Sequence, residues 1–252
     1  MKLESILHYL DGYLAVVEHP DYAVALNGLQ VQGPDEVGVV AVAVDASHAV
    51  IGAAGEVGAD LLVVHHGLFW GGLRPLTGPH FRRVRALIDA RLGLYSCHLP
   101  LDGHAEIGNC VLLARALGLE LEGRFGAYQG APIGWWGRLP EAVDADGLLT
   151  LVEAAVGGPA HLIPGGPRRI ETVGVITGAG ASFVPEAAAV GLDAFVTGEG
   201  PHHTHFDGME LGVHVVFGGH YATETFGVRA LGEHLAGRFG LTWHFVDQPT
   251  GL

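Results

Sequence analysis

The stretch that decides the fold covers residues 37–66 and reads VGVVAVAVDASHAVIGAAGEVGADLLVVHH. Its first part, Val37–Val44, is an apolar run rich in β-branched residues, which is typical of a buried strand. Asp45-Ala46-Ser47 follows as a predicted helix N-cap, and an alanine-rich helix is expected to extend to about Glu56. A second apolar run, Leu61–Val64, predicts another strand. Because a strand–helix–strand unit joins parallel strands, the stretch indicates an α/β fold.

The same order of elements recurs in the second half of the chain. Residues 173–177 predict a strand, residues 182–190 a helix and residues 194–197 a second strand. Shared physics alone can make two such units alike, but several landmarks in the same order favour a duplication. The matches pair Val57-Gly58 with Val190-Gly191, His65-His66 with Gly198-Glu199, Leu92–Cys97 with Leu211–Val216, Arg115–Gly118 with Arg229–Gly232, and candidate closing strands at 121–125 and 241–246.

We therefore predict a duplicated, two-lobed α/β fold with mixed, mostly parallel sheets flanked by helices. The first lobe is expected to cover residues 1–125 and the second residues 126–252. Elements near the C-terminus could pack back on the first lobe, since connections in such folds can cross from one half to the other.

Charge and hydropathy exclude several classes of protein. No apolar run approaches the roughly 18 residues of a membrane span, and charges within the first apolar stretch predict an amphipathic helix instead of a secretory signal. Two cysteines, Cys97 and Cys110, form no disulfide framework. We expect a cytoplasmic protein without membrane contact. The net charge of −14 disfavours nucleic-acid binding, although the cluster Arg82, Arg83 and Arg85 leaves a local basic patch open.

Polar residues gather directly after the predicted strands, where parallel α/β sheets bind their ligands. His65-His66 follow one strand and His220 follows another; Glu224 lies four residues further, on the same face of a predicted helix. Asp102 follows Pro100, so a turn is expected to present it. Each cluster also has an ordinary structural explanation, such as hydrogen-bonded histidines or a helix-capping acid. Their coincidence at equivalent strand ends favours a metal site.

The residue types indicate which metals would suit these clusters. Imidazole and carboxylate without thiolate suit Zn²⁺, Fe²⁺, Mn²⁺ or Co²⁺ and disfavour copper(I) and iron–sulfur clusters. A bridging carboxylate, Glu224 or Asp102, could hold two ions roughly 3.5–4 Å apart. We therefore expect two divalent metal ions per chain.

Five motifs together resemble the GTP cyclohydrolase I type 2 homolog family, also called the NGG-one-interacting-factor-three-like family. The likeness spans nearly the whole chain, and five motifs in fixed order make it specific. The motifs are Asn27–Val31, Val64–Trp70, His98–Asp102, Thr197–Glu199 with His202-His203, and Gly219–Glu224.

The resemblance implies a dinuclear metal site in the cleft between the lobes and a ring-shaped homohexamer, a trimer of dimers. Carried over residue by residue, it implies that His66 and Asp102 hold one ion, that His65 and His220 hold the other, and that Glu224 touches both. His98 is a further candidate ligand or supporting residue. The roles of His202 and His203 stay open.

Two functions follow as competing hypotheses. The first is a metal-dependent hydrolase acting on GTP, another nucleotide or a phosphoester, with Glu199 or His203 moving the proton as general base or acid. The second is a non-catalytic metal-binding or regulatory protein that forms a ring. An exchangeable water on the metal would favour the first, because purely structural sites are closed by protein ligands. A DNA-associated factor is a third, disfavoured hypothesis.

Overall fold

The computed structural model describes all 252 residues, and the chain forms two units, each built around one β-sheet. Unit 1 comprises residues 1–101 and 227–248, and unit 2 comprises residues 102–226 and 249–252. None of the helices combines the length and the apolar character that a bilayer span requires.

Unit 1 contains a five-stranded sheet in the order β1-β4-β3-β2-β11. Four strands run parallel, and β1 is antiparallel to β4. The strands are β1 (Gly28–Val31), β2 (Val39–Asp45), β3 (Leu61–His66), β4 (Gly93–Ser96) and β11 (Thr242–Phe245). The helices are α1 (Leu3–Tyr13), α2 (His48–Glu56), α3 (Gly78–Asp89), the single turn α4 (Leu99–Asp102) at the boundary, and nearly all of α10 (Thr225–Phe239).

The residues that predicted the first strand–helix–strand unit form it. Val40, Val42 and Val44 are buried in the centre of the sheet, because a parallel strand has helices on both of its faces. Ser47 is the N-cap of α2, and its hydroxyl accepts a hydrogen bond from the Val50 N–H at 3.1 Å. The local sequence therefore determines both the strand and the start of the helix.

Unit 2 contains a six-stranded sheet in the order β5-β6-β8-β9-β10-β7. Its centre, β8-β9-β10, is parallel, and the flanking pairs are antiparallel. The strands are β5 (Glu120–Tyr128), β6 (Ala131–Val143), β7 (His161–Pro164), β8 (Ile170–Val175), β9 (Ala194–Thr197) and β10 (His214–Phe217). The helices are α5 (Asn109–Ala116), α6 (Ala145–Val156), α7 (Val184–Ala189) after a 3-10 turn at Gly180–Phe183, α8 (Thr204–Leu211) and the single turn α9 (His220–Thr223).

These sheets confirm the predicted mixed α/β class. The units divide the chain at other positions than the predicted lobes, 1–125 and 126–252, for which C-terminal elements were expected to be able to pack on the first lobe. Residues 121–125 lie in β5, which pairs with β6 in unit 2. Residues 242–245 form β11, which pairs with β2 in unit 1. Each candidate closing strand thus belongs to the sheet of the other unit. Strand β5 pairs with β6 for a local reason: Gln129 and Gly130, both with positive φ, form a two-residue hairpin turn that joins the two strands.

The duplication is visible in the hydrogen bonds at the start of the first parallel strand of each sheet, β2 and β8. A carboxylate oxygen of Asp60 accepts the backbone N–H groups of the first residue of β2 and of the residue before it, at 3.0 and 2.8 Å. A carboxylate oxygen of Asp193 accepts two N–H groups near the start of β8, both at 2.9 Å. The residues two positions earlier, Gly58 and Gly191, share a left-handed conformation with φ of +69° and +79°. The predicted match of Val57-Gly58 with Val190-Gly191 is therefore confirmed in structure.

One predicted match is wrong by two residues. The carbonyl oxygen of Asp60 accepts the N–H of Gly93, and that of Asp193 accepts the N–H of His214. Gly93 thus corresponds to His214 and not to Gly212. The Leu-Gly pairs had suggested the other alignment, but Gly212 is the left-handed cap of α8, whereas Gly93 is the first residue of β4.

We predict that Asp60→Ala and Asp193→Ala each lower the free energy of unfolding by about 2–3 kcal/mol, because each substitution leaves two backbone N–H groups without their charged acceptor. Urea unfolding followed by circular dichroism measures the change. Asp89→Ala, on the exposed surface of α3, is the control and should change stability by no more than about 0.5 kcal/mol. A large loss for only one of the two aspartates would contradict their equivalence.

Candidate metal-binding residues

Three histidines come together in unit 1. His65 and His66 end β3, and His98 follows β4, the neighbouring parallel strand. Parallel strands present their carboxyl ends at one edge of the sheet, so the three imidazoles meet there. One ring nitrogen of each lies within 4.8 Å of the others, which is close enough for the three rings to share a cation. His98, which the resemblance gives as a further ligand or a supporting residue, thus lies in the same cluster as His65 and His66.

The rings of His65 and His66 are held by oxygen acceptors. The Nδ1 of His65 lies 3.0 Å from the carbonyl oxygen of Cys97, and the Nδ1 of His66 lies 2.9 Å from a carboxylate oxygen of Asp45. These oxygens can only accept, so Nδ1 carries the proton in both neutral rings. The Nε2 atoms therefore keep the lone pair that a metal ion needs.

Asp21 holds the third ring. Its carboxylate accepts hydrogen bonds from the Nδ1 of His98 at 2.9 Å, from the side-chain amide of Asn27 at 2.8 Å and from the N–H of Leu99 at 2.9 Å. Burial raises the pKa of Asp21, but the hydrogen bonds and the charge of His98 outweigh it and lower the pKa overall. Asp21 therefore stays ionised at neutral pH and fixes the orientation of His98.

Sequence reasoning missed Asp21 and Asp45 as supporting residues. Asp45 had a usable signal, because the parallel register places it directly opposite His66 on the next strand. Asp21 lies in the loop between α1 and β1, far from any strand end. Only the tertiary structure brings it to His98.

Unit 2 brings His220 and Glu224 together as predicted. The Nε2 of His220 lies 3.2 Å from a carboxylate oxygen of Glu224, at the spacing of four residues. The Nδ1 of His220 lies 2.7 Å from a carboxylate oxygen of Glu199. His220 thus follows the pattern of the other three histidines, with an oxygen acceptor at Nδ1. Its Nε2 lies beside a second candidate ligand.

The two carboxylates also set the protonation of His220. Burial lowers its pKa, but the hydrogen bonds and charges of Glu224 and then Glu199 raise the pKa to about 9. Without a cation the ring is therefore protonated at neutral pH. A divalent metal ion at Nε2 would replace that proton and neutralise the same carboxylates.

Gly178 determines where the Glu224 carboxylate can lie. It has a left-handed φ of +63°, and a Cβ at this position would collide with the Glu224 carboxylate. The N–H of Gly178 donates to the hydroxyl of Thr223 at 3.1 Å, which fixes the loop after β8 against the end of α9. The glycine therefore makes room for an acidic side chain that is almost fully buried.

Asp102 is buried and anchored within unit 2. One of its carboxylate oxygens accepts hydrogen bonds from the side-chain amide of Asn109 at 2.9 Å and from the hydroxyl of Thr177 at 3.0 Å. The prediction that a turn presents Asp102 is wrong, because it ends the one-turn helix α4. Pro100 fits there, since the first helical turn does not need its missing N–H.

The predicted catalytic residues occupy different surroundings. Glu199 contacts His220 while 48% of its side chain stays exposed. His203 is an exposed residue that directly precedes α8, and the neighbouring His202 packs edge-on against Phe206. The structure thus connects Glu199 with a candidate metal ligand. The catalytic roles of Glu199 and His203 stay predictions.

Neither cysteine has the character of a nucleophile. Cys97 and Cys110 are buried thiols that form no disulfide. Burial, followed by the negative charge of Asp102, raises the pKa of Cys110 to about 12. Because thiolate is the reactive form, thiol chemistry at Cys110 is excluded at neutral pH.

Known proteins match the chain over almost its full length. The family model described as Duf34/NIF3 (NGG1p interacting factor 3) matches residues 1–250. The GTP cyclohydrolase 1 type 2 homolog of Deinococcus radiodurans is 45% identical over 99% of this chain and 94% of its own length. The protein of the same name from Halobacterium salinarum is 48% identical and covers 100% of both chains.

Solved structures agree with the sequence matches. Protein ybgI, described as of unknown function, superposes with a TM-score of 0.94 at 36% identity and covers 100% of both chains. TTHA1606 from Thermus thermophilus has a TM-score of 0.90 at 41% identity, also over 100% of both chains. The sequence, the fold and the matched length together place this chain in the DUF34/NIF3 family, among relatives of the proteins named GTP cyclohydrolase 1 type 2 homologs.

Proposed function

We propose that the chain is a metal-dependent hydrolase that holds two divalent metal ions. One observation carries the proposal: the Nδ1 atoms of four candidate histidines each lie next to an oxygen acceptor, which leaves Nε2 as the nitrogen that can bind a cation. Metal-binding histidines are held in this way by carboxylates or carbonyl groups. The proposed ligands are His65, His66, Asp102, His220 and Glu224, with His98 as a further one.

The proposed division of ligands follows the family pattern. His66 and Asp102 bind one ion, His65 and His220 bind the other, and Glu224 binds both. The donor set of imidazole and carboxylate supports Zn²⁺, Fe²⁺, Mn²⁺ or Co²⁺. The two acids, Asp102 and Glu224, are both buried, and a bound cation would offset the cost of burying their charges.

The residues around the ligands have separate proposed roles. When bound, the ions would polarise the substrate and lower the pKa of a bound water. Glu199 orients His220 through Nδ1, and its exposed part can take a proton from water as general base. His203, on the same loop, is exposed and can return a proton to the leaving group. Asp45 and Asp21 keep the rings of His66 and His98 in their orientations.

The substrate class is proposed from the names of the relatives. Proteins that are 45–48% identical to this chain are called GTP cyclohydrolase 1 type 2 homologs, so GTP is the first substrate to test and other nucleotides or phosphoesters follow. A homohexamer in the cytoplasm is part of the proposal. Buried cysteines outside any disulfide support a reducing compartment, and exposed Phe206, Met209 and Leu211 on α8 support contacts between copies.

Metal analysis tests the ligands directly. Protein purified without chelator or nickel affinity resin should contain two divalent ions per chain by plasma mass spectrometry. His66→Ala and Glu224→Ala should each lower the affinity for added Zn²⁺ by at least about 10-fold, because each removes a ligand. The controls are His8→Ala and Glu4→Ala on the exposed face of α1, which should keep full metal content. Wild-type protein that takes up none of these metals would contradict the proposal.

Gly178→Ala tests the position of the Glu224 carboxylate. We expect it to weaken Zn²⁺ binding by at least about 10-fold, since a methyl group there displaces a ligand. Gly191→Ala is the matched control: it has a similar φ of +79°, but its Cβ would meet open space. Both variants should lose about 1–2 kcal/mol of stability from the left-handed backbone, and only Gly178→Ala should lose metal affinity by calorimetry. Equal affinities for the two variants would show that Glu224 binds no metal.

Turnover separates the hydrolase from a non-catalytic metal protein. Metal-loaded wild type should hydrolyse GTP or bis(p-nitrophenyl) phosphate, and Glu199→Gln should lower kcat by roughly 10²–10⁴-fold. Because glutamine can still accept the hydrogen bond from His220, the variant should keep its metal content. Activity that persists in a His65→Ala/Glu224→Ala variant would come from contamination. A fully loaded wild type without turnover on either substrate would contradict hydrolysis and favour a regulatory metal protein.

A further inference from the structure

An apolar pocket of about 630 Å³ opens in unit 1, and none of its lining residues is a proposed metal ligand. The volume lies within the range of small-molecule sites, roughly 300–1,000 Å³. Most of the wall is apolar and consists of residues from the loop before β1, from the loop before α3 and from α3 itself, chiefly Val24, Leu26, Phe69, Leu73, Leu76 and Val84. Leu73 is fully exposed and Leu76 is 55% exposed, so the protein alone leaves this apolar surface open to water.

Three polar side chains line the pocket, and all the charge is positive. Gln30 is occupied by the backbone, because its amide nitrogen donates to the carbonyl oxygens of Ala25 and Leu26 and its oxygen accepts the N–H of Leu68. Arg74 makes one long hydrogen bond, from Nη2 to the carbonyl oxygen of Leu68 at 3.5 Å, and has no acidic partner in the lining. His80 is the third polar residue. In a chain with a net charge of −14, a pocket lined by a cation and no anion is unusual.

His80 is a buried polar group with an unused nitrogen. Only 7% of the residue is exposed, and its Nδ1 has no hydrogen-bond partner. The ring packs edge-on against Phe69, with 5.8 Å between the ring centroids. Burial, followed by the positive charges of Arg74 and Arg83, lowers the pKa of His80. The neutral ring therefore offers an N–H without adding a charge, and a native protein rarely leaves such a group unsatisfied.

Arg74 and His80 thus lie together at the wall of an otherwise apolar pocket. They are its only polar side chains that the backbone around Gln30 does not occupy.

We propose that this pocket binds a small amphiphile with an anionic head, a carboxylate or a phosphate, and an apolar body. The head binds to Arg74, with His80 as an additional polar contact. The apolar body covers the side chains of Leu73, Leu76, Val24 and Leu26. A fully polar anion would leave this surface uncovered, and a neutral lipid would leave Arg74 without a counter-ion, so the combination selects an anionic amphiphile.

Calorimetric titration of the intact chain with decanoate, below its aggregation concentration, tests the proposal. Decanoate should bind saturably with one site per chain, decan-1-ol should bind at least 10-fold more weakly, and decyltrimethylammonium should not bind. Decyl phosphate distinguishes the two head groups: tighter binding than that of decanoate assigns a phosphate head, and weaker binding assigns a carboxylate head. Arg74→Gln should weaken decanoate binding about 10-fold, as expected for the loss of one charge-assisted hydrogen bond.

Two further variants keep the test decisive. Arg82→Gln removes an equal charge from the exposed surface of α3, outside the lining, and should bind decanoate like the wild type. Ala23→Trp adds a large side chain at an exposed lining position and should abolish binding without loss of thermal stability. Equal affinity for decanoate and decan-1-ol, an equal loss in both arginine variants, or no saturable binding would overturn the proposal. One pair of results would also overturn it: the wild type binds no decanoate, and the substitution Leu73→Asp dissociates an oligomer that the wild type forms. In that case a second copy of the chain would cover the pocket.

Discussion

Parallel strand pairing is the constraint on which the candidate metal-binding residues depend. In unit 1 the ladder β2-β3-β4 brings three carboxyl ends to one edge of the sheet, and the side chains that follow these ends include His65, His66 and His98. In unit 2 the ladder β8-β9-β10 does the same for the loops that carry Gly178, Glu199 and His220. Asp60 and Asp193 each accept backbone N–H groups at the start of a neighbouring parallel strand, β2 or β8. These hydrogen bonds fix the strand register at the end of each sheet that lies away from the candidate ligands.

The oxygen acceptors beside the histidines determine which ring nitrogen is available to a metal ion. A carbonyl oxygen, two aspartates and a glutamate each bind an Nδ1 atom. They orient the rings and hold a proton at Nδ1, so that Nε2 is the nitrogen available to a metal ion. At His220 a second carboxylate is also close: Glu224 and then Glu199 raise the pKa of the ring to about 9 despite the opposing effect of burial.

Glycine and proline positions show how backbone requirements serve the same residues. Gly178 leaves space for the Glu224 carboxylate. Its φ of +63° also disfavours any residue with a side chain, because such residues rarely adopt the left-handed conformation. Pro100 lies in the first turn of α4 and so does not interrupt the helix that ends at Asp102. Neither residue is a candidate ligand, but a side chain at Gly178 would displace the Glu224 carboxylate. The apolar pocket beside α3 is independent of these requirements, since it is lined by other loops.

The sequence by itself determined the local elements and the candidate ligands. Apolar β-branched runs, N-caps such as Ser47 and residues at strand ends are set by neighbours in the chain, so β2, α2, β3 and the pair His220 and Glu224 were predictable. Tertiary structure alone decided which sheet takes β5 and β11, because strand partners are chosen by packing between distant segments and not by local propensity. It also decided that Gly93 corresponds to His214 and that Asp21 reaches His98. These facts depend on loop lengths and side-chain contacts that leave no periodic signal in the sequence.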